Sequence, residues 1–218
     1  VIIMKNKLLR TFGVLIISIT FTIGLTCIPV HASWKCENDT LTIHNETPGK
    51  LYNKNRSGFM LQYSHIIVTG EMNCSDFASL SCAATYCKSI DISGVKADNI
   101  GAGVFCCKDN LEEFICPNNL KTIGRGSFWA CHNLKRLVLP KSLESINSGS
   151  FQFCNELELV VPENVKLGEK VFLGCPKVDT SKCSLLSEPI KPSGTSFEES
   201  LSEDVSCGFK FFSFCRIK

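Results

Sequence analysis

Histidine, tryptophan, tyrosine and methionine are scarce in this chain of 218 residues, which holds four, two, three and three of them. The four histidines, at 31, 44, 65 and 132, fall in no H-E-x-x-H or H-x₃-H arrangement, so no histidine-based metal site is expected. Cysteine offers Cys82-x₄-Cys87 and the adjacent pair Cys106-Cys107, but no second clean C-x₂₋₄-C pair completes a zinc set. No nucleophile elbow is present. Gly101-Ala102-Gly103 and Gly124-Arg125-Gly126 lack the further glycine and the strand-to-helix setting of a phosphate loop. Asp76, Asp98, Glu112 and Glu113 form no pair that the sequence holds in a pocket. The expectation is therefore no enzyme, no metal and no cofactor. Charge of one sign is lacking as well. Lys and Arg number 23 against 21 Asp and Glu, a net +2, which gives no basic field for nucleic acid or anionic lipid.

What the chain does have begins at its start. Lys5, Lys7 and Arg10 precede an apolar run from Phe12 to Ile28, followed by Val30-His31-Ala32. A basic segment, an apolar core and a small-x-small site read as a secretory signal peptide over residues 1–32. An uncleaved anchor and a lipidated Cys27 are the rival readings of the same stretch. Removal of the signal would leave 186 residues with 20 basic and 21 acidic side chains, and 13 of the 14 cysteines. Such density in an exported chain first suggests a disulfide framework.

The spacing points elsewhere. Asn110-Leu111-Glu112-Glu113-Phe114-Ile115-Cys116-Pro117 returns 23 residues later as Asn133-Leu134-Lys135-Arg136-Leu137-Val138-Leu139-Pro140. Leu120, Ile123, Gly126, Phe128 and Cys131 recur at the same step as Leu143, Ile146, Gly149, Phe151 and Cys154. Weaker copies lie on both sides, around Ile66 and Ile90 upstream and Leu159 downstream. The count is about five units. A fixed period above 20 residues marks a solenoid, because no single unit can bury its apolar side without neighbours. Within a unit, alternation places Leu137 and Leu139 on one face of a strand and Val138 on the other. Pro140 then ends the ladder, and Ile146, Phe151 and Cys154 turn inward at irregular spacing, as a tight turn with a short helical segment would place them.

The unit resembles the BspA-like, or Treponema pallidum-type, leucine-rich repeat, L-x-x-L-x-L-P-x-x-L-x-x-I-x-x-x-x-F-x-x-C. Residues 134–156 fit it position by position, and 111–133 fit with Phe114 and Cys116 in place of leucines. The resemblance covers about residues 63–180 and departs in repeat length at 93–107 and 157–175. It implies an α/β leucine-rich-repeat solenoid, with short parallel strands on the concave face and turns and short helical segments on the convex face. It also implies a secreted, cell-surface or periplasmic protein of adhesion or host contact. The organisation expected is an N-terminal cap region at 33–62, the solenoid at 63–183, a linker or loop at 184–206 and a Phe-rich tail at 207–218.

The outward residues of successive strands define the candidate site. Ile67, Asp91, Ile115, Val138 and Val160 would form one column about 4.8 Å per step, mostly apolar. Beside it would run His65, Ser89, Glu113, Arg136 and Glu158. An apolar stripe bordered by mixed charge suits a protein-binding surface. Strand propensity of β-branched residues is a second reading, and cover by the chain's own tail a third. Cys131, Cys154 and Cys175 share one repeat position, with Cys107 one residue early, and Cys116 replaces a core leucine; all five are expected as reduced core residues. The cysteines near the ends, Cys74, Cys82 and Cys87 above all, are expected to staple irregular caps, with Cys207 and Cys215 as a hairpin disulfide. Phe209, Phe211, Phe212 and Phe214 crowd the tail and could cap the last repeat, cover the sheet, drive self-association or approach a membrane. The leading expectation is a protein-binding repeat module whose partner is a host extracellular-matrix or cell-envelope protein. The alternatives are a self-assembling envelope protein, as a homo-oligomer, and a carrier of an apolar ligand.

Overall fold

A computed structural model describes residues 32–51, 60 and 62–181. Two parallel ladders run along it, and their register is that of the sequence repeat. The main sheet has six strands in the order β1 (Ala32–Glu37), β2 (Thr40–Asn45), β3 (His65–Glu71), β4 (Ser89–Lys96), β6 (Glu113–Ile115) and β8 (Arg136–Val138). All its pairings are parallel except β1 with β2, a hairpin turned by Asn38, whose φ of 53° Asn tolerates better than most residues. Phe114 pairs with Leu137 and Ile115 with Val138, so the 23-residue step of the sequence is one turn of the stack. A single bridge from Arg136 to Glu158 continues the ladder, and β10 (Leu159–Val160) then pairs with β12 (Val178–Asp179). The second ladder joins β5 (Asn99–Ile100), β7 (Thr122–Ile123), β9 (Ser145–Ile146) and β11 (Lys166–Leu167), each of two residues.

The expected solenoid of about five turns is thus the observed one. One extra residue in the Ile90 unit is accommodated as a bulge in β4. Ile67 pairs with Asp91, yet Thr69 pairs with Gly94. The first unit departs furthest. Its second half is a helix, α1 (Cys74–Ala84), where the Gly-x-Phe signature is missing. Asn73 caps it by accepting from the amides of Ser75 and Asp76, and the Asp76 carboxylate accepts the Asn73 amide in return. Asp76 is fully buried and also takes the amides of Gly49 and Leu51 at 2.6 and 2.8 Å, tying the segment after β2 to the helix start. The helix supplies Phe77, whose ring meets Phe105 edge-on at 6.5 Å.

The core is a column of rings. Phe105, Phe128, Phe151 and Phe172 lie nearly parallel, with centroids 5.4, 5.2 and 5.6 Å apart in turn. Phe114, from the main sheet, wedges its edge against Phe128 at 4.9 Å. The strand residues expected to point inward do so. Ile66, Val68, Ile90, Ile92, Phe114, Cys116, Leu137 and Val161 are buried, whereas Leu139 and Leu159 remain partly covered.

Cys131, Cys154 and Cys175 line up beside the rings. Each thiol donates to the carbonyl of the preceding unit's phenylalanine, at 3.0 Å to Phe105, 3.1 Å to Phe128 and 2.8 Å to Phe151. Cysteine here acts as a small buried residue that satisfies an inter-turn acceptor. Cys107 does not belong to this series. It occupies a left-handed corner with φ of 55°, and the buried residue at the equivalent place is Lys108, whose Nζ donates to Thr85 Oγ1 at 3.2 Å.

The expected disulfide framework is corrected. Among the described residues no disulfide forms; Cys36 and Cys82 are exposed thiols, and Cys87, Cys116, Cys131, Cys154 and Cys175 are buried ones. Cys74 and Cys82 both ride on α1, at its first turn and its last, and the helix is held by its cap and by packing instead. Burial pushes the Cys87 thiol up to about 12, far from the thiolate that disulfide exchange requires. Burial raises Cys116 further still. Cys207 and Cys215, like the tail phenylalanines and the signal segment, lie outside the described residues.

Candidate protein-binding face

The side chains that alternate outward from the main sheet form two rows. In the first, parallel pairing brings Ile67 beside Asp91, Asp91 beside Ile115 and Ile115 beside Val138. Val160 continues the row on β10, next to Asp179 of β12. Ile67, Ile115 and Val138 are half-buried by their neighbours, and Val160 is 64% exposed. Asp91 interrupts the apolar row, and its Oδ1 accepts the Ser93 amide at 2.8 Å, which turns the carboxylate toward its own backbone.

The second row runs through His65, Ser89, Glu113, Arg136 and Glu158. His65 Nδ1 lies 2.8 Å from the Ser89 hydroxyl. Arg136 is ion-paired to Glu113 one turn back, and its backbone bridges to that of Glu158 one turn on. Between them the two rows hold the outward residues expected from the sequence, most of them on the main sheet and Val160 on β10 beyond the Arg136–Glu158 bridge.

Near the downstream end the surface is hollowed. Glu158, Leu159, Val160, Lys177 and Asp179 line an open depression of about 450 Å³, with Lys177 Nζ 4.0 Å from Glu158 and 2.7 Å from Glu156. The sequence reading missed Lys177 and Asp179, because Val178 there gave only a hint of a truncated last strand. The pairing of Glu156 and Glu158 with a lysine 19 to 21 positions on was the available signal. Contact with Lys177 holds the Glu156 carboxyl below its ordinary value, and the same contact raises Lys177.

Among the described residues no three His, Cys, Asp or Glu side chains converge as metal ligands. The carboxylates are spent on lysine or arginine partners one turn away, and the depression holds no group poised as a nucleophile.

Parallel strands in 23-residue register, stacked phenylalanines and a proline after each of β6, β8 and β10 define a leucine-rich-repeat solenoid. The chain belongs to the BspA-type leucine-rich repeat region family, which matches residues 74–200 in six copies and is a non-catalytic binding repeat. Two solved structures are similar. One is a leucine-rich repeat protein of T. pallidum, at 17% identity and a TM-score of 0.40, covering 71% of this chain and 61% of that one. The other is the pneumococcal vaccine antigen PcpA, at 20% and 0.45, covering 72% of this chain and 49% of that one. The chain thus spans about half to three-fifths of these proteins. No curated protein matches the sequence.

Proposed function

We propose that the protein is an exported or surface-exposed interaction module that holds a protein partner on the outer face of its main sheet. The observation that carries this reading is the apolar pair Ile115 and Val138 on adjacent turns, with exposed Val160 beyond the Arg136–Glu158 bridge, beside the charged row of Glu113, Arg136 and Glu158. Such a pairing suits a partner that presents an apolar ridge flanked by polar groups, as an extended segment of an adhesion target would. The apolar stripe provides the affinity and the fixed ion pairs provide register.

Simultaneous replacement of Ile115 and Val138 by threonine, polar but β-branched, tests the reading, with immobilised extracellular-matrix proteins as the partners. Both side chains face away from the core, so the thermal midpoint should stay within a few degrees while binding falls at least tenfold. Binding that survives the double substitution would refute a role for this face. The exposed Phe153 and Leu173, 40% and 49% accessible at the downstream end, favour self-association as the second reading. A mass by light scattering that rises with concentration would support it.

A further inference from the structure

The depression differs in charge from the rest of the outer face. Upstream of it, Arg136 answers Glu113 one for one, and the Asp91 carboxylate is turned onto the Ser93 amide. At the depression the carboxylates of Glu156, Glu158 and Asp179 stand around one ammonium, that of Lys177, which leaves two formal negative charges in surplus. The ammonium is not shared equally. It lies 2.7 Å from Glu156 but 4.0 Å from Glu158, whose side chain is 75% exposed. Asp179 accepts the Ser181 amide at 2.9 Å, a contact that leaves its charge in place. Between these acids the lining is aliphatic. Val160 shares a face of β10 with Glu158 and pairs in register with Asp179, and Leu159 completes the hollow.

We infer that the depression is the subsite for a basic side chain, arginine ahead of lysine, of the protein partner held on the outer face; the inference rests on that reading of the face. Both parts of such a side chain find their match. An arginine carries an apolar stem behind a cationic head. The stem covers Val160, which is 64% exposed, and the head meets the carboxylates of Glu158 and Asp179. A wholly aliphatic side chain would cover Val160 but strip water from the acids without replacing their hydrogen bonds. An acidic one would add to the surplus charge. Arginine leads lysine because its guanidinium is less strongly hydrated and directs several N–H groups in a fixed plane, enough for two carboxylates at once. At about 450 Å³ the hollow holds one such side chain with room for bridging water. Val160 follows Val138 by one turn, about 4.8 Å, so a partner resting on Ile115 and Val138 reaches the hollow without leaving the face.

Nuclear magnetic resonance on the full chain tests the subsite, with a blocked pentapeptide, glycine-valine-arginine-valine-glycine, as the probe. Its counterparts carry lysine, or citrulline as the uncharged isostere, in place of arginine. The arginine peptide should shift the amides of residues 158–160 and 177–179 and saturate. The lysine peptide should bind more weakly, and the citrulline peptide at least about tenfold more weakly. Glu158→Gln should weaken the arginine peptide about fivefold and leave the citrulline peptide unchanged, with the rest of the spectrum reporting an intact fold. Equal binding of arginine and citrulline peptides, shifts confined to other residues, or no shift with any peptide would overturn the subsite. Binding to matrix proteins separates this inference from the reading beneath it. Binding that survives the substitutions at Ile115 and Val138 overturns both, whereas binding lost in that variant yet unaltered in Glu158→Gln overturns the subsite alone.

Discussion

A small set of residues at the corners carries much of the fold. Two left-handed positions recur in each turn. Gly103, Gly126 and Gly149 hold the first with φ of 60 to 65°, and Lys170 holds it in the last described corner at 51°. A side chain with a β-carbon is strained there by about 1 kcal/mol. Lys170→Gly should therefore raise stability by up to about 1 kcal/mol, less the entropy glycine restores to the unfolded chain; urea unfolding reads the difference. Gly124 has another reason to be glycine. A β-carbon there would lie 2.7 Å from the Ile100 carbonyl oxygen one turn away, so the corners could not stack at their present distance. The sequence displayed these glycines as a repeat, but not their two separate causes, since close approach depends on the neighbouring turn. Cys107 was misassigned to the cysteine column for a related reason. Cys107 lies two residues after Phe105, as Ala130 and Phe153 lie two after Phe128 and Phe151, and so takes the second left-handed position.

At the scale of strands and helices, the period-2 alternation of β6 and β8 made the main sheet and its outward rows legible, and the repeat fixed their register. The second ladder was not legible. Strands of two residues have no alternation to detect, and only the neighbouring turn makes Thr122–Ile123 a strand. Helix α1 left a local signal, Asn73-x-x-Asp76, in a unit otherwise recognisable only by what it had lost. Ion pairs also link successive turns at this scale. Lys135 on Glu112, at 2.7 Å, holds the Glu112 carboxyl below its ordinary 4.5, and Lys177 does likewise for Glu156. A lowered folded-state value means stabilisation present above pH 4.5 and lost as the pH falls through that lowered value. The thermal midpoint should decline modestly between pH 5 and about 3, and more weakly in Glu112→Gln and Glu156→Gln. Because these groups are exposed, added salt should shrink the difference.

For the molecule as a whole, stability is shared between neighbours in a row and not through a central core. Phe128, fully buried between Phe105 and Phe151, joins the upstream turns to the downstream ones. Phe128→Ala should cost about 3–5 kcal/mol. It should also broaden or divide the denaturation curve, because the ring contacts joining the two sides are then lost and only backbone hydrogen bonds in the ladders and corners remain. Phe172→Ala, at a half-buried end position, should cost less and leave one transition. Scanning both variants by circular dichroism separates the two outcomes, and a Phe128→Ala curve as sharp as the parent's would contradict a nearest-neighbour stack. The 23-residue interval and the residues repeated at it were enough to name this architecture. The cysteine count pointed instead to a cross-linked scaffold, because the number of thiols says nothing about whether they lie in one buried column.

The hydrogen-bond pattern between corners has one more consequence, for how such a chain changes through descent. The corners at 103–107, 126–130 and 149–153 each donate three amides to the next corner downstream, so their facing surfaces are alike. A change of one residue within a turn has to be absorbed locally, as the bulge in β4 absorbs a gain. Loss or duplication of a whole 23-residue unit rejoins matching surfaces and alters only the length, by roughly 4.8 Å along the stack. Inheritance in this protein therefore favours whole turns as the unit of gain and loss, and the area of the outer face can grow or shrink without its local chemistry being redesigned.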